Sequence, residues 1–187
     1  MLLHGIDDTC RLFKHLQPFL EQRGWIVHCL NLLPNNGDSA LDVLAGQVAG
    51  YIERALPAGV PVHLVGFSMG GLVARYHVQR LDPTGRVRRM ITISSPHGGT
   101  WTAYMRWNPG ARQMRPGSSF LRDLDQDREV LKKAGFTSIW TPFDLMILPA
   151  RSSMMSEARV VRLNVSHHAR MIRDPRVLEA VDRALSS

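Results

Sequence analysis

The chain carries the stretch PVHLVGFSMGGLVAR at residues 61–75. A short run of strand-forming residues leads into the pattern Gly-x-Ser-x-Gly, and helix-forming residues follow it. A sharp turn between a strand and a helix strains the backbone of the central serine and lifts its hydroxyl clear of the sheet. At Gly66 and Gly70 a side chain would collide with the neighbouring strand or helix. We therefore predict that Ser68 is a nucleophile at the positive N-terminus of a helix over residues 69 to about 81.

Strands and amphipathic helices alternate along the chain, which indicates a parallel sheet covered by helices on both faces. We predict an α/β fold with about six mostly parallel strands in one domain, residues 1–187. The predicted strands cover residues 2–4, 25–30, 60–67, 87–93, 137–141 and 159–163. The other predicted helices cover residues 10–23, 40 to about 56 after an Asp38-Ser39 cap, 123–134, and 175 to about 185 after an Asp174 cap.

Composition limits the classes of protein and of partner. No apolar stretch approaches the roughly 18–20 residues that a membrane-spanning helix needs. The net charge is +7 and comes mainly from arginine. The arginines are scattered along the chain without a nucleic-acid-binding signature, so we expect no nucleic acid partner and only weak association with anionic lipid surfaces. We expect a monomer.

The cysteines and the start of the chain bear on its compartment. Cys10 and Cys29 have neither metal-site nor disulfide-framework spacing, and Cys29 reads as a small buried residue of an apolar run. The start of the chain lacks a secretory-signal pattern, so we expect a cytoplasmic protein. Its first residues look like the end of a strand, so we also expect residues upstream of Met1.

A serine hydroxyl needs a base, and the base needs an orienting acid. In open parallel sheets, functional groups gather at the carboxyl ends of the strands. His167 and His168 both follow the last predicted strand, and Asp144 follows the strand before it. His4 and His97 lie in glycine-containing loops near other strand ends, where they could line the site. The order serine, aspartate, histidine is one of the known orders of a catalytic triad.

Attack of a serine on an ester places negative charge on the former carbonyl oxygen. Backbone N–H groups must point at that oxygen, and loss of one such donor typically costs about 3–4 kcal/mol in the barrier. Met69 follows the nucleophile and begins a helix, so its amide is the first predicted donor. We predict Ile6, in the loop after the first strand, as the second.

These motifs resemble small α/β-hydrolases of the bacterial lipase/esterase type, including triacylglycerol lipases, over nearly the whole chain. The similar pieces are Leu3-His4-Gly5-Ile6, Gly66-Phe67-Ser68-Met69-Gly70-Gly71, Ser95-Pro96-His97-Gly98-Gly99-Thr100, the Asp144 segment and the His167 segment. In that family the base usually follows Val-Gly, and Val165-Ser166-His167 is similar, so the resemblance makes His167 the base and His168 its neighbour. It also implies Ile6 and Met69 as oxyanion donors. The chain departs from the family at Phe67, where histidine is frequent, and at Ser166, where glycine is usual.

The resemblance implies a minimal α/β-hydrolase fold and a serine hydrolase (lipase or esterase) that cleaves acyl esters or lipids through an acyl-enzyme intermediate, without metal or cofactor. Acyl transfer, thioester hydrolysis and catalytically silent lipid binding are the alternatives. The aperiodic residues 96–122 form either a lid or acyl-pocket loop, or a loop anchored in the core by its aromatic side chains. The side chains expected to line the substrate are His4, Phe67, His97, Trp101 and His168.

Overall fold

A six-stranded, all-parallel sheet forms the centre of the protein in the computed structural model, which describes residues 1–187. The strands are β1 (Leu2–Leu3), β2 (Cys29–Leu30), β3 (Val62–Phe67), β4 (Val87–Ile93), β5 (Thr137–Trp140) and β6 (Arg159–Arg162). Their order across the sheet is β2-β1-β3-β4-β5-β6. The predicted α/β architecture with six parallel strands is confirmed.

Helices cover both faces of the sheet. They are α1 (Leu16–Glu21), α2 (Leu41–Ala55), α3 (Met69–Tyr76), α4 (Pro109–Gln113), α5 (Ser119–Leu124), α6 (Val130–Lys133) and α7 (Pro175–Ser186). Because successive strand residues face opposite sides, Leu64 joins one core with α2, α3, α5 and α6, while Val65 joins a second core with α1 and α7. None of the helices combines the length and apolarity that a membrane crossing requires.

Several predicted helix boundaries change in the structure. The predicted helix over residues 10–23 is a 3₁₀-helix (Cys10–Phe13) followed by α1. The Asp38-Ser39 cap is wrong, because α2 follows Ala40 and has no side-chain cap. Helix α3 does continue to residue 81, as a π-helix (His77–Leu81), and Asp174 caps α7 by accepting a hydrogen bond from Arg176 N at 3.0 Å.

A disulfide joins Cys10 to Cys29, which corrects the prediction that Cys29 is only a small buried residue. Cys10 begins the 3₁₀-helix after the first loop, and Cys29 lies in β2, with 5.9 Å between their Cα atoms. This distance suits a disulfide. The pair depends on how β2 packs beside β1, so the spacing of the two cysteines in the sequence does not reveal it.

Candidate active site

Ser68 forms the turn between β3 and α3. Its backbone has φ 53° and ψ −121°, a strained conformation for a residue with a side chain. Its amide donates to Ile93 O in β4 at 2.9 Å, which fixes the turn at the carboxyl end of the sheet. The predicted strained serine between strand and helix is therefore observed.

Two glycines allow this turn to pack against its neighbours. A Cβ on Gly66 would lie 2.5 Å from Gly70 O, and a Cβ on Gly70 would lie 2.6 Å from His4 O and even closer to Leu3 O. Both obstacles are backbone atoms, which cannot rotate away. Glycine at these positions lets α3 approach β1 and β3 closely.

Asp144 and His168 meet beside this turn. His168 Nδ1 lies 2.8 Å from Asp144 Oδ2, and both side chains are buried. Asp144 Oδ1 accepts hydrogen bonds from the amides of Met146 and Ile147, each at 2.9 Å. Both oxygens of the Asp144 carboxylate therefore accept hydrogen bonds. The contact with Asp144 uses only Nδ1 of His168, so Nε2 is not involved in it.

The electrostatics of Asp144 favour its charged form. Burial by itself raises the pKa of the carboxyl group, but the hydrogen bond and charge of His168, together with the two backbone amides, more than offset this and hold the pKa below 3.8. An ionised carboxylate bonded to Nδ1 fixes the orientation and tautomer of the imidazole.

The predicted pairing of His167 with Asp144 is wrong. His167 is exposed, and its Nδ1 lies 3.0 Å from the Ser166 hydroxyl. His167 has an extended backbone, with φ −169° and ψ 164°. Neighbouring side chains of extended backbone point to opposite sides, so His168 points inward while His167 points to solvent.

Packing brings His168 to the end of β3. Its ring lies against Phe67, with 4.7 Å between the ring centroids, and Phe67 directly precedes Ser68. The Ser68 hydroxyl makes no hydrogen bond with His168 in this structure. Catalytic hydrogen bonds are often loose before substrate binds and tighten in the substrate complex.

The predicted oxyanion segment lies next to the nucleophile. A Cβ on Gly5 would be 3.2 Å from Ser68 Cβ, so the loop that contains Ile6 borders the serine directly. The Ile6 amide donates to no group of the chain. Met69 is the first residue of α3, so its amide has no intrahelical acceptor. Both amides are available, and their role as oxyanion donors stays a prediction.

His4 and His97 do not line the substrate site, contrary to prediction. His4 is fully buried, accepts from Leu32 N at Nε2 (2.9 Å) and donates from Nδ1 to Gly5 O (2.8 Å), so it holds the loop before Ile6 in place. His97 is 2% exposed, and its Nε2 lies 3.0 Å from the Thr92 hydroxyl. Sequence reasoning placed both near the site but could not show that they are buried behind it.

The aperiodic residues 96–122 divide between core and surface. Met114 and Phe120 are buried in the core, whereas Trp101, Met105 and Trp107 are 60%, 83% and 74% exposed. Trp101 N donates to Leu148 O at 2.9 Å, which joins this segment to the loop that carries Asp144.

Exposed apolar side chains of these two loops form a surface that we call the apolar rim. Its members are Trp101, Tyr104, Met105, Trp107, Phe143, Leu145 and Met146. The sequence analysis named Trp101 as a substrate-lining residue, and Tyr104, Met105 and Trp107 belong to the segment predicted as a lid or acyl-pocket loop. It did not indicate the apolar residues that flank Asp144, because they show no periodicity.

An apolar cavity lies away from this site. It has a volume of about 600 Å³, and it is lined by residues that include Trp25, Val27, Pro61 and His63. These residues lie before the strands β2 and β3 or at their amino ends, opposite Ser68. We therefore do not assign the cavity to the candidate active site.

The chain is similar in sequence to a thioesterase and to bacterial lipases. It is 34% identical over 115 residues to the lysosomal thioesterase PPT2 of Homo sapiens, covering 57% of this chain and 37% of the relative. It is 30% identical over 108 residues to a triacylglycerol lipase of Pseudarthrobacter phenanthrenivorans, covering 54% of this chain and 33% of that lipase. The chain thus spans about a third of the length of the curated relatives that it matches.

Solved lipases share the fold. The mature Bacillus licheniformis lipase BlEst2 superposes with a TM-score of 0.78 at 15% identity, over 98% of this chain and 89% of the lipase. Aspergillus fumigatus lipase B gives a TM-score of 0.81 at 20% identity, over the whole of this chain and 52% of that lipase. The model of the palmitoyl protein thioesterase family matches residues 1–141, a span that holds the Ser68 turn and the loop of Ile6. This small α/β-hydrolase of the lipase/esterase type thus belongs to the palmitoyl protein thioesterase family.

Proposed function

We propose that this chain is a serine hydrolase that cleaves acyl esters through Ser68, His168 and Asp144. The observation that carries the proposal is the buried hydrogen bond between Asp144 and His168, which lies beside the strained turn of Ser68. The family of the chain supports the same class of reaction. His168 takes the role that the sequence assigned to His167.

The reaction follows from the arrangement of these groups. Ser68 Oγ attacks the acyl carbon while His168 Nε2 takes the hydroxyl proton. The imidazolium then donates this proton to the leaving alcohol or thiol, and the acyl group stays on Ser68 as an ester. Water attacks this ester in the same way, which releases the acid and restores the serine. Asp144 holds Nδ1–H throughout and stabilises the imidazolium.

In this proposal the amides of Ile6 and Met69 stabilise the tetrahedral intermediates. Both are free of acceptors within the chain, and they come from segments on either side of Ser68. The Met69 amide also carries the partial positive charge of the N-terminus of α3. Donors fixed in place before the reaction lower the barrier because they need no reorganisation.

Long acyl chains are the proposed substrate class. The apolar rim presents seven apolar or aromatic side chains beside the candidate site. A thioester is the second candidate, because the family and its PPT2 relatives are named for thioester cleavage.

We also propose an oxidising compartment, in place of the cytoplasm expected from the sequence. The Cys10–Cys29 disulfide supports this, because cytosolic thiols are mostly kept reduced. Alkylation of the protein at the moment of cell lysis, followed by mass spectrometry, tests it. An intact disulfide agrees with the proposal, and two alkylated cysteines contradict it.

The substrate test compares oxygen esters and thioesters that carry the same acyl groups, from two to sixteen carbons. We expect hydrolysis that increases with chain length and is absent in Ser68→Ala. In the double variant Met105→Gln/Trp107→Ser, kcat/KM for long-chain esters should fall about tenfold, equivalent to about 1.4 kcal/mol of apolar contact. Its kcat/KM for acetyl esters should not change. Ile26→Ser is the matched control, because Ile26 is 87% exposed and lies before β2, away from the site. A folded wild type that is inert on every substrate would contradict the proposal.

A further inference from the structure

The residue after Ile6 has an unusual backbone. Asp7 has φ 60°, in the left-handed region that residues with a Cβ seldom adopt. Its amide donates to Asn35 O at 2.8 Å. The Asp7 amide belongs to the peptide bond that follows Ile6, so the contacts that hold Asp7 anchor Ile6 from its C-terminal side.

A single side chain holds Asp7 from the opposite side. Arg106 binds the Asp7 carboxylate through both terminal nitrogens, Nη2 to Oδ2 and Nη1 to Oδ1, the latter at 3.2 Å. Arg106 Nη1 also donates to Asn36 O at 3.2 Å, beside the Asn35 carbonyl that accepts from Asp7. A two-pronged contact of this kind fixes direction as well as distance.

Arg106 is itself tied to the apolar rim. It directly follows the 3₁₀-helix Trp101–Met105 and precedes Trp107. Arg115 donates to Arg106 O at 2.9 Å and lies over the Tyr104 ring, 4.6 Å from its centroid. The guanidinium of Arg106 therefore links the rim to the loop of Ile6.

We propose that Arg106 is a positioning residue that holds Asp7 in its left-handed conformation and thereby aims the Ile6 amide at the oxyanion. This inference rests on the proposed function. Arg106 forms no hydrogen bond with Ser68, His168 or Asp144, so it acts indirectly, through its contacts with Asp7 and the neighbouring Asn36 carbonyl.

Loss of the ion pair between Arg106 and Asp7 should change catalysis much more than the stability of the fold. Both side chains are close to half exposed, 43% for Arg106 and 50% for Asp7. Exposed ion pairs contribute only about 0–1 kcal/mol to folding. A misdirected oxyanion donor, in contrast, weakens stabilisation of the transition state and leaves substrate binding unchanged.

The experiment measures kcat and KM for a p-nitrophenyl ester in Arg106→Ala and Arg106→Lys, with Arg112→Ala as the matched control. Arg112 is an exposed arginine of the same segment that contacts Trp107 O and not the Asp7 loop. We expect kcat to fall about tenfold in Arg106→Ala, because the Ile6 amide is misdirected; complete removal of an oxyanion donor costs more than this. KM should stay within about twofold of wild type. Arg106→Lys should be intermediate and Arg112→Ala unchanged. The affinity for an alkyl boronic acid, which mimics the tetrahedral intermediate, should fall by the same factor as kcat.

The same substitution of Arg106 in the variant Asp7→Gly tests whether Arg106 acts through the backbone conformation of residue 7. Glycine adopts positive φ freely, so in Asp7→Gly the change Arg106→Ala should have no further effect on kcat. A full effect of Arg106→Ala in that background would overturn the inference, as would a raised KM with normal kcat, which would place Arg106 on the substrate. Labelling of Ser68 by a fluorophosphonate separates the two proposals. If wild type is not labelled, the proposed function fails; if wild type is labelled and Arg106→Ala has wild-type kcat, only this inference fails.

Discussion

His168 Nδ1 lies 2.8 Å from Asp144 Oδ2, and the two residues come from loops on either side of β6. Thr141, at the end of β5, donates its hydroxyl proton to Val165 O at 2.6 Å, which holds these loops together. This hydrogen bond between the loops helps to hold the Asp144 carboxylate within hydrogen-bonding distance of His168. The ring of His168 then lies against Phe67, next to the strained serine.

The contact between α3 and β1 predicts the effect of a methyl group at Gly70. Gly70→Ala should lower the free energy of unfolding by at least about 2 kcal/mol, because its Cβ would meet the Leu3 and His4 carbonyl oxygens. Gly46→Ala is the control, because nothing lies within 4 Å of that Cβ position in α2, and it should stabilise by about 0.5–1 kcal/mol. Urea unfolding measures both. Equal stability of Gly70→Ala and wild type would show that the helix does not approach β1 so closely.

The disulfide predicts a dependence of stability on redox state. Cys10 and Cys29 are 19 residues apart. A disulfide that closes a loop of this size contributes about 3 kcal/mol, mainly by restricting the unfolded chain. The double variant Cys10→Ser/Cys29→Ser should unfold at a correspondingly lower urea concentration. A reductant should lower the urea midpoint of wild type to the same value. A wild type that is unaffected by a strong reductant would contradict the bond.

Buried His97 predicts that stability falls on mild acidification. Burial, and then the charges of Arg75 and Arg128, lower the pKa of His97 well below 6.5. Near pH 6.5 the His97 imidazole therefore takes up a proton in the unfolded chain but stays neutral in the folded chain. The free energy of unfolding falls as the pH drops below that value. The loss can reach about 1.4 kcal/mol per pH unit for one such group.

Urea unfolding between pH 7 and pH 5 checks this. On lowering the pH, the free energy of unfolding of His97→Gln should fall less steeply than that of wild type. Buried His4 and His77 also have lowered pKa values and add to the wild-type slope. Identical slopes for wild type and His97→Gln would contradict the assignment.

The features predicted well from the sequence are those set by local pattern. Strand β4 covers Val87–Ile93, as predicted, because a turn directly before it and a serine pair directly after it mark its two ends. The Ser68 turn was found because its glycines are required within a few residues of the serine. Asp174 was identified as a cap because Pro175 follows it.

The features missed depend on contacts distant in sequence. His167 and His168 are adjacent, and only the position of Asp144, on another loop, decides between them. His4 is buried beside Leu32, which lies far along the chain and donates to its ring. The disulfide and the apolar rim likewise arise where segments meet in the fold, and no spacing within one segment indicates them.

The most direct test of the account compares hydrolysis of a p-nitrophenyl ester by wild type, Ser68→Ala, His168→Ala and His167→Ala, with folding checked by circular dichroism. We expect Ser68→Ala and His168→Ala each to lose a factor of at least about 10³ in kcat, because each removes a member of the triad. His167→Ala should stay within about twofold of wild type, because that side chain is exposed and bonded only to Ser166. An active His168→Ala beside an inactive His167→Ala would contradict the account.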